Sequence, residues 1–585
     1  MRGPVRSRGE GGPFPGRPCT YFRIVVPFLH ICNGGVETVV MPYSRALRSL
    51  LPLVASVLAA IMALCAPAAH AQDHRTALTE ASCKGLSAAS YYDNGKFPDF
   101  GDLADAPTQI TSAQVATARP GIPAYCAVEG YIAPQIGFHL RLPMQGWNGK
   151  FFQQGCGGMC GTVFAGEGCN AAVGRGYACI VTDLGHKGTQ VDTKWAIGNP
   201  QALIDFAWRA THLATVAGKA ITEFAYGARP SKAYFNGCST GGRQAFTEVQ
   251  KFPEDYDGVV ADAPASGMDA ALQLLWSVNA NYRKDGSQIL TFADIDLLAD
   301  AVMKSCDGKD GLVDGVINDP RRCRYDPARL SCKPGAGAGQ CLSADKIEAI
   351  RKIYQGPRDS KGRQWTEGAE PGTELRWKGE YVGNDTGPPH YEAFMRDWFR
   401  RIGFASDPGK DWKISDFDWD RDPPRARNAE ALLGVWNPDI SRFADRGGKL
   451  LLIQGWADDV VMPGPMIRYY EKVAKLAGGV DKASNFARLF MVPGSFHCWR
   501  GPGADAIDVI DAIETWVEKD KAPDKLIGYH PKTPSPTPIY LMPLAPENVV
   551  FSRPYFPWPA TTRYSGKGDP AKADSFVAAY PKEAK

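Results

Sequence analysis

The chain has 585 residues, 44% hydrophobic and 22% charged, with a formal net charge of +3. That is an ordinary globular composition, long enough for one large or two moderate domains. Charge is spread without long single-sign runs, so nothing calls for a nucleic-acid or membrane partner.

The first feature in chain order is a leader. "MPYSRALRSLLPLVASVLAAIMALCAPAAHAQ" has a basic start at Arg45 and Arg48, and an apolar run from Leu50 to about Leu64. A small-residue site follows at Ala69-His70-Ala71. This is the pattern of a secretory signal peptide over 41–71, cut after Ala71, with 1–40 as an upstream extension. The run is short for a membrane anchor. A secreted or periplasmic protein with no membrane attachment is expected after cleavage. Cleavage removes Cys19, Cys32 and Cys65 from the 15 cysteines. The even dozen left suggests disulfides, and no CxxC pair has zinc-like spacing.

Residues 83–145 read as short strands and turns. "FHLRL" (138–142) alternates like a half-buried strand, and "KFFQQ" and "YACIVTD" are compact apolar runs. Asn199-Pro200 opens a helix, with apolar positions at helical spacing from Leu203 to Phe224. Strand "KAYFN", turn "GCSTGG", helix "RQAFTEVQKF" and buried strand "DGVVADAP" come next. The strand–helix rhythm then stops from about 270 to 445 and returns with "KLLLIQG", a helix near 464–477, "ARLFMVP" and a helix over 504–518. Alternation on both sides of an interruption predicts an α/β fold on a mostly parallel sheet. Its first part spans 72–269 and its second 446–585, with an inserted lid domain over 270–445.

Gly237-Cys238-Ser239-Thr240-Gly241 is G-x-S-x-G between strand and helix. Such a turn lifts the serine out of the backbone and sets helix amides beside a developing oxyanion. In α/β-hydrolases the chain order is Ser, then Asp or Glu, then His. "LLLIQGWADD" offers Asp458 and Asp459 as the acid, and "VPGSFHC" offers His497 as the base. His186 precedes the serine, His139 falls in a strand, and His212 on a helix reads as packing. Cys238 precedes the serine and Cys498 follows the histidine. A disulfide between them would tether both catalytic candidates across more than 250 residues.

Together, "GCSTGGRQ", the G-x-x-D after a strand and "HC" resemble the tannase and feruloyl esterase family, which includes mono(2-hydroxyethyl) terephthalate hydrolases. The resemblance runs from about Cys83 to the C-terminus. It implies an α/β-hydrolase fold with a lid, a CS–D–HC disulfide, and Asp458 as the acid. Two positions depart from the family, which commonly has His at Gln454 and Pro at Asp459. The resemblance implies an oxyanion hole from the Thr240 amide and one in "GCGGMCG", taken as Gly157. It also implies a structural calcium site in "CDGKDGLVDGVINDPRRC". There Asp307, Asp310 and Asp314 would give carboxylates, and Leu312 and Val316 carbonyls, the hard oxygens calcium needs. Implied disulfides are Cys306–Cys323, Cys332–Cys341 and Cys83–Cys126. Cys156, Cys160, Cys169 and Cys179 keep three possible connectivities.

The expectation is a secreted serine esterase for small aromatic esters, feruloyl, galloyl or related, with no organic cofactor. "FMRDWFRRIGF" and "DWKISDFDWD" offer aromatics for a substrate ring, and Arg396, Arg400 and Arg401 offer charge for a substrate carboxylate. A hydrolase of terephthalate monoesters is the alternative on the same scaffold. An inactive, calcium-stabilised extracellular binding protein is the alternative of another class.

Overall fold

The computed structural model describes residues 77–87, 100–163, 167–335, 337, 339–533 and 544–580. The leader and extension lie outside them. Nine strands form the main sheet: β1 (Thr108–Ala116), β2 (Tyr125–Ile132), β3 (Ile136–Pro143), β4 (Lys150–Gln154), β5 (Ala178–Thr182), β6 (Lys232–Cys238), β7 (Gly258–Asp262), β8 (Lys449–Gly455) and β9 (Ala487–Val492). Their order is β1-β2-β3-β5-β4-β6-β7-β8-β9. From β5 to β9 every pairing is parallel, while β1, β2, β3 and β5 pair antiparallel. With its covering helices this is an α/β-hydrolase-type fold. β5, β6, β7 and β8 are buried at nearly every position, as parallel strands covered on both faces must be.

The "FHLRL" strand departs from its half-buried expectation, because all eight residues of β3 are buried. His139 and Arg141 occupy the polar register, and the guanidinium of Arg141 bonds Asn170 and lies 4.8 Å over the Tyr125 ring. A helix over Glu167–Gly174 brings Asn170 to that face.

The helix expected from Asn199-Pro200 starts as predicted, with the Asn199 side chain accepting from the Ala202 amide. It is not uniform. Asp205–Arg209 forms a π-helical turn before α1 (Ala210–Tyr226) resumes. The side chain of Arg243 explains the widened turn. It is 1% exposed, with no carboxylate partner among the described residues, and donates to the carbonyls of Phe206 and Ala207 at 2.9 and 2.6 Å.

Between β7 and β8 the chain is helical and irregular, as the lost rhythm implied. Its main helices are α2 (Asp269–Ala280), α3 (Phe292–Cys306), α4 (Ala344–Gln355) and α5 (His390–Trp398). Ile295, Ile350, Trp377 and Phe399 from this stretch share one hydrophobic cluster with Phe151, Phe235 and Leu452 of the sheet. The insertion is thus packed into the same core, and Gln72–Lys585 forms one unit.

Candidate active site

Ser239 directly follows the central strand β6 and stands at the N-cap of the helix over Thr240–Lys251. Its backbone sits at φ 63°, ψ −120°, a region a side chain rarely adopts, at a cost of about 1–3 kcal/mol. Neighbours hold it there. Its N–H donates to the Asp262 carbonyl, and its own carbonyl accepts from the amides of Arg243 and Ala265. The glycines are required by crowding. A Cβ on Gly237 would lie 2.5 Å from the Gly241 backbone, and one on Gly242 would lie 2.2 Å from the Asp262 carbonyl oxygen.

The histidine arrives on the turn after β9. Nδ1 of His497 lies 3.1 and 3.0 Å from the two oxygens of Asp458. Asp458 is fully buried after β8, and Oδ1 accepts the amides of Val460 and Val461, each at 2.8 Å. Nε2 of Gln454 donates to Oδ2 at 3.2 Å. Asp459, the other candidate acid, faces away: Oδ1 lies 3.3 Å from Nε of Arg376. Burial works to lower the pKa of His497, but Asp458, then Asp459 and Asp262, outweigh it and leave it raised.

The disulfide between Cys238 and Cys498 joins the two segments, with Cα atoms 5.8 Å apart across 260 residues. The four cysteines left open resolve as Cys156–Cys160 and Cys169–Cys179. Cys83–Cys126, Cys306–Cys323 and Cys332–Cys341 are paired as the resemblance implied.

The Cys156–Cys160 bridge closes the glycine-rich turn opposite Ser239. In that turn Cys156 N–H donates to Gln244, Met159 N–H to the Gln190 carbonyl, and Cys160 N–H to the Gly157 carbonyl. The Gly157 amide belongs to none of these bonds, and Gly157 lines the same cavity as Ser239, Thr240 and His497. Oγ1 of Thr240 ties the turn to the serine helix by donating to the Gly158 carbonyl at 2.6 Å. His186 serves this scaffold, with its ring on Trp195 and Nε2 2.6 Å from the Met159 carbonyl.

The cavity over the serine holds about 550 Å³. Phe206, Leu274, Tyr391, Phe394, Trp398 and Trp499 are among its apolar walls. The first predicted lid stretch therefore reaches the site through Phe394 and Trp398. The second does not: Phe417 and Trp419 pack on one another, and Phe417 also on Phe399. Arg396, Arg400 and Arg401 are likewise not cavity walls. They pair with Asp397, Asp407 and Asp397 respectively.

In the expected calcium loop, Asp307 accepts the amides of Asp314 and Gly315, and Asp310 that of Leu312. Asp314 accepts the Val316 amide and also holds Arg553 at 2.7 Å. Burial, with the charges of Asp314 and Asp307, pushes Asp310 up to about 6. The three carboxylates bear on one another's charge but are turned to loop amides, and Asp314 to Arg553, rather than gathered on one point.

Sequence reasoning missed Arg243, Gln454 as a donor to the acid, and Arg376. Arg243 stands in "GCSTGGRQ", but nothing in a sequence marks an arginine whose partners are carbonyls.

The profile of tannase and feruloyl esterase matches residues 121–579. An esterase of Xanthomonas campestris pv. campestris is 31% identical over 548 residues, covering 86% of this chain and 92% of its own. Mono(2-hydroxyethyl) terephthalate hydrolase of Piscinibacter sakaiensis is 30% identical over 557 residues, covering 83% and 90%. The crystal structure of feruloyl esterase B from Aspergillus oryzae superposes with a TM-score of 0.73 at 25% identity, over 86% of this chain and all of its own. With the family profile spanning most of its length, the chain belongs to the tannase and feruloyl esterase family and is a carboxylic ester hydrolase.

Proposed function

We propose that the protein is a serine esterase for esters of aromatic carboxylic acids whose acyl group is uncharged, such as feruloyl or galloyl esters. The observation that carries this reading is the His497–Asp458 pair beside a strained Ser239 under an apolar, aromatic-walled cavity. Oγ of Ser239 attacks the ester carbonyl while Nε2 of His497 takes its proton. Asp458 holds Nδ1–H and balances the imidazolium. The amides of Thr240 and Gly157 receive the oxyanion. The tetrahedral adduct expels the alcohol, which leaves with the His497 proton. Water, activated by the same imidazole, then hydrolyses the acyl-enzyme and restores Ser239.

The cavity walls favour the uncharged acyl group over a terephthalate monoester. A distal carboxylate needs a cation, and Arg396, Arg400 and Arg401 are held by aspartates outside the walls. Arg243, which does line the cavity, is committed to two carbonyls. The leader and the disulfides support export to an oxidising compartment. The calcium reading rests on Asp307, Asp310 and Asp314, with the carbonyls of Leu312 and Val316, and gives the ion a structural role remote from the reaction.

The test is a panel of methyl ferulate, methyl gallate and mono(2-hydroxyethyl) terephthalate, with Ser239→Ala as control. The parent should turn over one of the first two at least about tenfold faster in kcat/KM than the third. Ser239→Ala should lose about 10⁶ in kcat. An active, clean Ser239→Ala preparation overturns the serine mechanism, and preference for the terephthalate monoester overturns the acyl assignment. A parent inert to all esters and to a fluorophosphonate would leave only a binding protein.

A further inference from the structure

Asp459 needs an account of its own. It is fully buried, adjacent in sequence to the acid that holds His497, and its Oδ2 has no hydrogen-bond partner among the described residues. A buried carboxylate is costly unless something compensates it. The compensation comes from the insertion. Arg376 reaches Oδ1 of Asp459 at 3.3 Å, and Tyr381, also in the insertion, donates its hydroxyl to the Asp459 carbonyl. The guanidinium lies 5.7 Å over the ring of Phe496, the residue before His497. The same arginine pairs with Glu380 at 3.3 Å, and Glu380 with Nδ1 of His390 at 3.1 Å. His390 lines the substrate cavity. An unbroken line of polar contacts thus runs from the cavity rim through the insertion to the turn that carries the triad acid.

We propose that Arg376 and Asp459 are a positioning pair that docks the 270–445 insertion onto the Asp458 turn, so that the insertion sets the placement and charge balance of His497 as well as roofing the substrate. The inference rests on His497 being the general base of the proposed reaction. The groups facing His497 are Asp458, Asp459 and Asp262. Those facing Asp459 are Arg376, Asp458, His497, Glu380, Tyr381 and Tyr391. Arg376 in turn faces Asp459, Glu380 and Tyr391. Asp459 is therefore the carboxylate through which the insertion touches the electrostatics of the base.

The test uses the full mature enzyme with Asp459→Asn, Arg376→Gln, Arg376→Lys and the Asp459→Asn/Arg376→Gln double variant. Thermal unfolding is measured for each, and kcat and KM on the best panel ester from pH 5 to 9. Asp459→Asn removes a negative charge that favours the imidazolium, so the acidic limb of kcat/KM should move to lower pH. Arg376→Gln should lower kcat roughly 2- to 20-fold with KM little changed, and most of that loss should vanish in the Asp459→Asn background. Arg376→Lys should recover part of it. A role in stability alone would lower the melting temperature and leave the pH profile in place. A pH profile of Asp459→Asn that coincides with the parent's overturns the proposal, as does an Arg376→Gln loss that is the same in both backgrounds. If Asp459→Asn does not fold, the arginine variants decide, since Arg376 is partly exposed; equal losses for Gln and Lys then overturn it. Failure here with Ser239→Ala inactive leaves the esterase reading standing, whereas an active Ser239→Ala removes both.

Discussion

Asp458 receives two backbone amides, the Gln454 amide and the His497 imidazole, so every rotation of its carboxylate is held. Asp458→Asn keeps the shape but gives the imidazole the wrong partner, and kcat should fall about 10⁴-fold with little change in melting temperature. Gln454→Leu removes one donor to a buried charge and should cost roughly tenfold in kcat. Steady-state kinetics on the same ester check both, and a Gln454→Leu enzyme with parental kcat would make that contact incidental. The serine and the histidine were readable in the sequence because their backbone settings leave signatures: glycines packed at van der Waals limits, and cysteines on adjacent residues. The aspartate was not separable from its neighbour by residue type. Asp458 and Asp459 differ only in which way the turn after β8 points them, and that depends on the amides of Val460 and Val461.

The elements that carry the site meet only at their ends. β6 delivers the serine, β8 the acid and β9 the histidine, and the parallel register of the strands between them sets their spacing. The loops beyond the strands are less constrained, and there the Cys238–Cys498 bond fixes what the sheet does not. A Cys238→Ala/Cys498→Ala enzyme should be less stable by about 3–5 kcal/mol. Assayed well below its melting point, it should still lose more than about tenfold in kcat, because small displacements of a proton-sharing pair are expensive. A folded double variant with parental turnover would reduce the bond to a staple. The strands that frame the site were legible from apolar runs and turn residues, but their order in the sheet, with β5 between β3 and β4, was not. The π-helical turn at Asp205–Arg209 was not, because the apolar spacing of one helix passes through it and its cause, Arg243, lies 34 residues beyond. The lid helices were equally hidden, since their packing partners come from the sheet and leave no local period.

On the scale of the whole molecule, burial outweighs what would hold several carboxyls ionised, for Asp459 even with Arg376 beside it. Burial pushes Glu374 and Asp505 up to about 7 and Asp459 to about 6. In the unfolded chain such groups ionise near pH 4. Between about pH 4 and 7 the folded state therefore holds more protons, and unfolding free energy falls as pH rises. His139, which burial brings down to about 4, acts in the opposite sense below about pH 6.5 and offsets part of this. The melting temperature should drop by roughly 5 °C from pH 5.5 to pH 8, read by calorimetry. On the proposed mechanism the His497 imidazole, held above its ordinary value, must lose its proton to act as a base, so activity should rise over the same interval in which stability falls. A stability optimum above pH 7.5 would contradict the buried-carboxyl account. Calcium should act separately. Chelation at constant pH should lower the melting temperature, re-addition should restore it, and kcat measured below the transition should stay within about twofold. Elemental analysis that finds no calcium in protein purified without chelators, with no thermal response to the ion, counts against the site.

If the proposed triad operates, the bond between Cys238 and Cys498 would also couple the rate of hydrolysis to the redox state of the surroundings. With both sulfurs as thiols, only the sheet and the loops beyond it would hold His497 near Ser239, and the proposed hydrolysis should be slower. On the export reading, a chain still in a reducing compartment would hydrolyse slowly, and full competence would arrive with oxidation rather than with folding.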